Sequence, residues 1–178
     1  MEVPVLLQSY AKKIFRAECN PQFESLHCIA NLDQDVSEAL PYLNAWLGGF
    51  EYLKDPPAVI FRSHGRLITV QGREIAINAL KDEAEADKIL EWLQREINQV
   101  WEKRAEIVPG FEGSPKPQVF EILKLLPRTN CRKCGEPTCM VFAARAAEGV
   151  KGAADCPPLT AEATQRLAGY LGRFNLDV

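Results

Sequence analysis

The sequence lacks any apolar run that approaches the roughly 18 residues a bilayer span requires. Its first residues, Met1 to Leu7, have neither the basic region nor the long apolar stretch of a secretory signal. Histidine is also scarce, and neither His27 nor His64 is paired with a nucleophile and a carboxylate. We therefore expect a cytoplasmic protein that has no membrane span and no independent catalytic activity.

The chain also lacks an excess of positive charge. It has 21 Lys and Arg against 24 Asp and Glu, and a pI near 5.5 does not indicate binding to nucleic acid. The charge is unevenly distributed, because residues 1–115 carry a net −6 and residues 116–178 a net +3. Positive charge thus collects in the part of the chain that contains most of the cysteines.

Four of the six cysteines follow a metal-site spacing. Cys131, Cys134, Cys139 and Cys156 form the pattern C-x2-C-x4-C-x16-C, followed directly by Pro157. In a cytoplasmic chain, cysteines spaced in this way are more often metal ligands or redox groups than disulfides. We interpret them as the ligands of one [4Fe-4S] cluster. The alternative is structural zinc, which usually shows two C-x-x-C knuckles, and the long arm to Cys156 argues against it.

The residues around these cysteines favour a negatively charged ligand. Thr138 is placed to cap a helix that begins at Cys139 and ends before Gly149. The partial positive charge of a helix N-terminus stabilises thiolates and anionic clusters. Several cations could also compensate the negative charge of a cluster, although each could equally belong to a solvated surface. These are Arg128, Arg132, Lys133, Arg145 and Lys151.

Hydrophobic periodicity predicts an α+β fold, with an N-terminal antiparallel sheet covered by helices and then a small, mostly helical cluster module. We expect a helix within Val3–Arg16, a strand from Phe23, a helix over Val36–Leu47 and a long helix opened by Asp82. Four strands should lie between the last two, at Phe50–Leu53, Ala58–Arg62, Arg66–Val70 and Glu74–Leu80. Helices should also follow Pro117 and Thr160.

The segment PGFEGSPKP is rich in proline and glycine and cannot continue a helix. It predicts a domain boundary. We expect an α+β domain over residues 1–108, a linker over 109–117 and a four-cysteine iron–sulfur module over 118–178.

Over about residues 117–159, the core LP-x-TNC-x-x-CG-x-PTC resembles the [4Fe-4S] domain of the corrinoid iron–sulfur protein large subunit. Similar domains occur in the B subunit of Rnf-type electron-transport complexes. The resemblance implies that Cys131, Cys134, Cys139 and Cys156 ligate a low-potential cluster that passes single electrons. It also implies a redox partner protein. The corrinoid-binding segment D-x-H-x-x-G is absent, so any corrinoid would belong to that partner.

Residues 23–100 resemble, in topology alone, one half of a TATA-binding-protein-like sheet. DNA binding does not follow, because this part of the chain is acidic and lacks a basic face.

The leading hypothesis from the sequence is a low-potential one-electron carrier, or an accessory to a corrinoid or other redox partner, in anaerobic metabolism. The alternative is a sensory, assembly or structural interaction module that responds to cluster loss. The remaining thiols, Cys19 and Cys28, are expected to be buried or incidental. Nothing in the sequence indicates the oligomeric state.

Overall fold

The computed structural model describes residues 5–16, 26–63, 66–174 and 176. The chain forms two compact units, Met1–Ser114 with Leu176–Val178, and Pro115–Asn175. The boundary between them lies inside the segment expected to be a linker. Among the described residues, no helix combines the length and the apolar character needed to cross a membrane.

The first unit contains a six-stranded antiparallel sheet with the strand order β1-β2-β6-β5-β4-β3. Its strands are β1 (Tyr10–Arg16), β2 (Leu26–Leu32), β3 (Glu51–Lys54), β4 (Pro57–Ser63), β5 (Arg66–Gln71) and β6 (Glu74–Leu80). A short 3-10 helix, Ser37–Ala39, leads into α1 (Leu40–Leu47), and α2 (Glu83–Glu102) follows β6. The predicted α+β class is confirmed.

Cross-strand rows of apolar side chains define the buried face of this sheet. The pairing register aligns Cys28, Ile77, Ile68 and Phe61 across four strands, and all four are buried. A second such row contains Ala30, Ile75, Val70 and Val59. Apolar residues of α1 and α2 belong to the same core. Because side chains alternate between the two faces of a strand, these rows fix the strand registers.

The predicted helix near the N-terminus is wrong. Residues Tyr10–Arg16 form a strand that pairs with β2, and Val3 lies outside the described residues. The error has a physical cause at Lys12, which occupies an inner-face position between Tyr10 and Ile14. Its ammonium group pairs with Glu83, at 2.8 Å, and with Asp87, both on α2. A paired lysine on the inner face hides the two-residue alternation that marks a strand.

The C-terminal part of the first unit includes residues 110–114, which are anchored by hydrogen bonds. The buried Asn44 donates from Nδ2 to the carbonyls of Gly110 and Glu112, both at 2.9 Å. Ser114 N–H donates to the carbonyl of Gly49 at 2.7 Å. Gly113 approaches Phe50 so closely that a β carbon would lie 2.5 Å from its carbonyl oxygen. Part of the proline- and glycine-rich segment is therefore packed rather than free.

The second unit is mostly helical. It contains α3 (Val119–Leu125), α4 (Cys139–Ala147), a 3-10 helix (Ala153–Asp155) and α5 (Ala161–Gly172). Its core is built from Ile122, Leu126, Phe142, Ala143, Ala146, Ala153, Cys156 and Leu167. Two alanines on the buried side of α4 keep this core compact, because a small side chain lets neighbouring segments approach closely.

Candidate metal centre

The loop between α3 and α4, called the coiled loop below, contains four residues in the left-handed backbone conformation. Arg128, Asn130 and Arg132 have φ values of 59°, 50° and 61°, and Gly135 has a φ of 87°. Left-handed residues alternating with ordinary ones turn successive backbone N–H groups toward one concave side. Glycine adopts this conformation freely, whereas a residue with a β carbon pays about 1 kcal/mol or more for it. The loop therefore stores backbone strain next to Cys131 and Cys134.

Helix α4 begins at Cys139, as predicted. Thr138 caps it, because its Oγ1 accepts from Val141 N–H at 3.1 Å. Asn130 adds a second contact, since its Oδ1 accepts from the backbone N–H of Cys139 at 2.8 Å. The coiled loop is thereby bonded to the first turn of α4, and the partial positive charge of that turn lies at the third cysteine.

Cys156 lies after the other end of α4. The chain leaves α4 through Gly149, which has a φ of 85°. Asp155 then stabilises the Ala153–Asp155 turn by accepting from Gly152 N–H at 2.7 Å. These turns return the chain to the centre, where Cys156 is 9% exposed and packs in the core of the second unit.

All four cysteines line one cavity. Its wall also includes Leu126 and Phe142. Within residues 5–16, 26–63, 66–174 and 176, no three His, Cys, Asp or Glu side chains converge on the position of a single metal ion.

The first and the last of the four cysteines in the sequence, Cys131 and Cys156, differ in environment. Cys131 is exposed, and its pKa is lowered chiefly by the backbone N–H of Lys133, with help from the Thr129 hydroxyl and the Lys133 charge. Burial raises the pKa of the Cys156 thiol, and the other three cysteines raise it further. Because negative charge on the other three cysteines opposes ionisation of Cys156, this donor set is suited to a polynuclear cationic core, which would remove that repulsion.

The five cations named from the sequence divide into two groups. Lys151 donates from Nζ to the carbonyl of Cys134 at 3.2 Å, and Arg145 lies 4.0 Å from the carboxylate of Glu136. Arg128, Arg132 and Lys133 are exposed, and they form no salt bridge with the described part of the chain. Glu136 also lines the cavity, and neither its position nor the Asn130 contact was anticipated. Asn130 offered a signal, because asparagine tolerates left-handed backbone.

The remaining candidate residues lie elsewhere. Cys28 is buried in the core of the first unit, where burial raises its pKa. His27 stacks on Phe15, with ring centroids 5.7 Å apart. Cys19 and His64 fall outside the described residues.

Comparison with known proteins identifies the segment. Residues 126–158, which contain all four cysteines, match a family model described as "Putative Fe-S cluster". This segment is an iron–sulfur cluster segment. The match covers a minor part of the chain, as expected from the resemblance noted over residues 117–159.

Relatives of the iron–sulfur segment are named as subunits of protein complexes. The gamma 1 subunit of the acetyl-CoA decarbonylase/synthase complex of Methanosarcina thermophila is 52% identical over 43 residues, which are 24% of this chain and 9% of that protein. The B component of the ion-translocating oxidoreductase complex of Azoarcus sp. is 40% identical over 63 residues, 35% of this chain and 34% of that protein. The chain thus spans about a tenth to a third of the length of these relatives. No solved structure matches significantly, so the topological resemblance of residues 23–100 stays a prediction.

Proposed function

We propose that Cys131, Cys134, Cys139 and Cys156 ligate one [4Fe-4S] cluster. The observation that carries this proposal is that all four thiols line the same cavity, although they come from a loop, a helix start and a distant turn. A single zinc ion would instead need four sulfurs at about 2.3 Å from one point. When bound, such a cluster supplies reversible one-electron chemistry.

The protein residues around the cavity have separate tasks in this proposal. The first turn of α4 and the concave N–H side of the coiled loop favour negative charge. Lys151 holds the carbonyl of Cys134, which fixes the second cysteine. Leu126 and Phe142 exclude water from the wall of the cavity. These contacts position the thiolates and leave the sulfur of Cys131 near solvent.

We further infer that the protein is a low-potential electron carrier or accessory that serves a partner protein in the cytoplasm. The relatives of its iron–sulfur segment are named as subunits of multi-subunit complexes, which supports a protein partner. The resemblance to the corrinoid iron–sulfur protein favours a partner in anaerobic metabolism that contains a corrinoid.

Anaerobic reconstitution tests the cluster and its ligands. We expect about four irons and four sulfides per chain, and an EPR signal on reduction that disappears on reoxidation. Replacing any of the four cysteines with alanine should lower the iron content, whereas Cys28→Ala, a substitution in the other unit, should leave it unchanged. Zinc without sulfide would contradict the cluster, and a cluster destroyed by reduction would contradict electron transfer.

A second candidate, a module that responds to cluster loss, is favoured by the position of Cys156. This residue packs in the same core as Phe142 and Leu167, so a ligand and the helices share one structure. Metal binding at a site that the unfolded chain lacks contributes to folding. If cluster loss is the signal, hydrogen exchange in α4 should accelerate in the cluster-free protein while exchange in β5 and β6 stays slow. Equal protection of α4 in both forms would exclude this candidate.

A further inference from the structure

One edge of the second unit is a continuous exposed strip, residues 128–133, with the sequence RTNCRK. All six residues are exposed, and three of them are cationic. The strip contains no acidic residue, and none of its cations forms a salt bridge within the described ranges 5–16, 26–63, 66–174 and 176. Other cations of the unit are paired, for example Lys124 with Glu121 and Arg166 with Glu162.

Two of these cations occupy costly backbone positions. Arg128 and Arg132 are left-handed, with φ values of 59° and 61°, where glycine would cost least. The turn itself does not need a guanidinium group. Glycine at these two positions would relieve the backbone strain. The presence of arginine instead points to a functional use of its side chain.

The same strip contains the most exposed cysteine of the site. Cys131 is exposed, Cys134 and Cys139 are half-buried, and Cys156 is buried. An electron that enters or leaves through a thiolate ligand therefore has its shortest path to solvent at Cys131. Three exposed cations flank this path in the sequence, whereas Cys156 is buried in the core of the second unit.

We propose that residues 128–133 are the docking surface for a partner protein that presents a cluster of carboxylates. This inference rests on the proposed electron-carrier function and adds the chemistry of the partner. Arg128, Arg132 and Lys133 meet the partner's carboxylates, because guanidinium and ammonium groups pair with them and steer their approach. Arg145 and Lys151 are not part of this surface, since they are already engaged by Glu136 and by the carbonyl of Cys134.

A fluorescent poly-L-glutamate peptide tests the surface by anisotropy, with the cluster-loaded protein. Wild type should bind it, and binding should weaken strongly as salt rises from about 10 mM to about 150 mM, because the Debye length shortens from about 30 Å to about 8 Å. The triple variant Arg128→Gln, Arg132→Gln, Lys133→Gln should lose at least about tenfold in affinity.

The matched control is Lys124→Gln, Arg166→Gln, Arg173→Gln, which removes the same charge from exposed positions of the same unit. It should bind nearly as wild type. Lys133 does not line the cavity, so Lys133→Gln alone should weaken binding even if the triple variant takes up less iron. Equal losses in the two triple variants, or binding that is independent of salt, would overturn the docking surface.

Iron content and EPR are recorded on every sample, which separates the two proposals. A normal reversible cluster with no selective loss of peptide binding refutes the surface alone. An absent or irreversible cluster in the wild-type protein refutes the electron-carrier function instead.

Discussion

Lys12 is a charged residue on the buried side of a strand. It lies between Tyr10 and Ile14 on the inner face of β1, and its ammonium group reaches Asp87 and Glu83 of α2. Hydrogen bonds that the ammonium group donates to these carboxylates, to Asp87 first, raise the pKa of Lys12 above its usual value. A raised lysine pKa means that the folded state holds the proton more tightly than the unfolded state.

We expect Lys12→Met to lower the free energy of unfolding at neutral pH. The stabilisation by Lys12 is fully present below the unfolded pKa of about 10.4 and is lost as the pH rises through the folded value. The difference from wild type should therefore shrink above about pH 10.4. Urea unfolding across this range measures it.

Lys13→Met is the control, because Lys13 is exposed on the opposite face of the same strand. Its effect should be small at every pH. A Lys12→Met deficit that persists undiminished at high pH would show that the ion pairs are not its source.

Single residues also mark the limit of what the sequence could predict about the site. The spacing of the cysteines was sufficient to group the four residues, and all four line one cavity. The left-handed arginines were not predictable, because arginine carries no preference for that conformation and nothing local signals it. Glu136 was missed for a similar reason, since a lone glutamate in a loop is usually solvated.

At the scale of elements, the three capped helix starts were the most predictable features, whereas α1 begins at Leu40, after a 3-10 turn, and not at the predicted Val36. Asp82, Thr138 and Thr160 each accept from the backbone three residues later and cap α2, α4 and α5. A cap is a local interaction, so its residue type is visible in the sequence. The prediction of a helix in place of strand β1 was wrong, because the pairing of this strand with β2 and the contacts of Lys12 are long-range. Helix α3 begins at Val119, two residues after the predicted Pro117.

Helices α4 and α5 offer a matched pair of caps. Thr138 and Thr160 accept the same bond, at 3.1 Å and 3.2 Å. We expect Thr138→Ala and Thr160→Ala each to cost about 1 kcal/mol of stability. Only Thr138→Ala should also hasten the loss of iron to a chelator, because α4 alone begins at one of the four cysteines.

Chelator-induced bleaching of the visible absorption gives the rate of iron loss, and thermal unfolding gives the stability. If both variants lose iron equally fast, the start of α4 has no special part in holding the cluster.

At the scale of the whole molecule, the two units depend on different interactions. The first unit is held by a sheet and two helices around an apolar core, whereas the second has a much smaller core that includes a cysteine. Within the first unit, the side chain of Asn44 connects α1 to residues 110–114. Its side-chain amide makes three hydrogen bonds, including one accepted from Gly49 N–H at 3.1 Å.

We expect Asn44→Ala to lower the free energy of unfolding of the first unit by about 3 kcal/mol, because three hydrogen bonds of about 1 kcal/mol each are lost, one of them to the buried N–H of Gly49. Gln71→Ala, an exposed substitution at the end of β5, should change it by less than about 0.5 kcal/mol. Urea unfolding followed by circular dichroism gives both values. A loss for Asn44→Ala no larger than that control would show that water replaces the amide at no cost.

The hydrogen bonds of Asn44 also decide where the chain can be shortened. Composition alone would place the end of the first unit at Val108, before the prolines and glycines. A chain that ends at Val108 would leave the buried Asn44 amide without the carbonyls of Gly110 and Glu112 as acceptors. It would also lack the Ser114 N–H that donates to the carbonyl of Gly49. A chain cut after Ser114 keeps every one of these partners, so recombinant versions of the first unit should extend to Ser114.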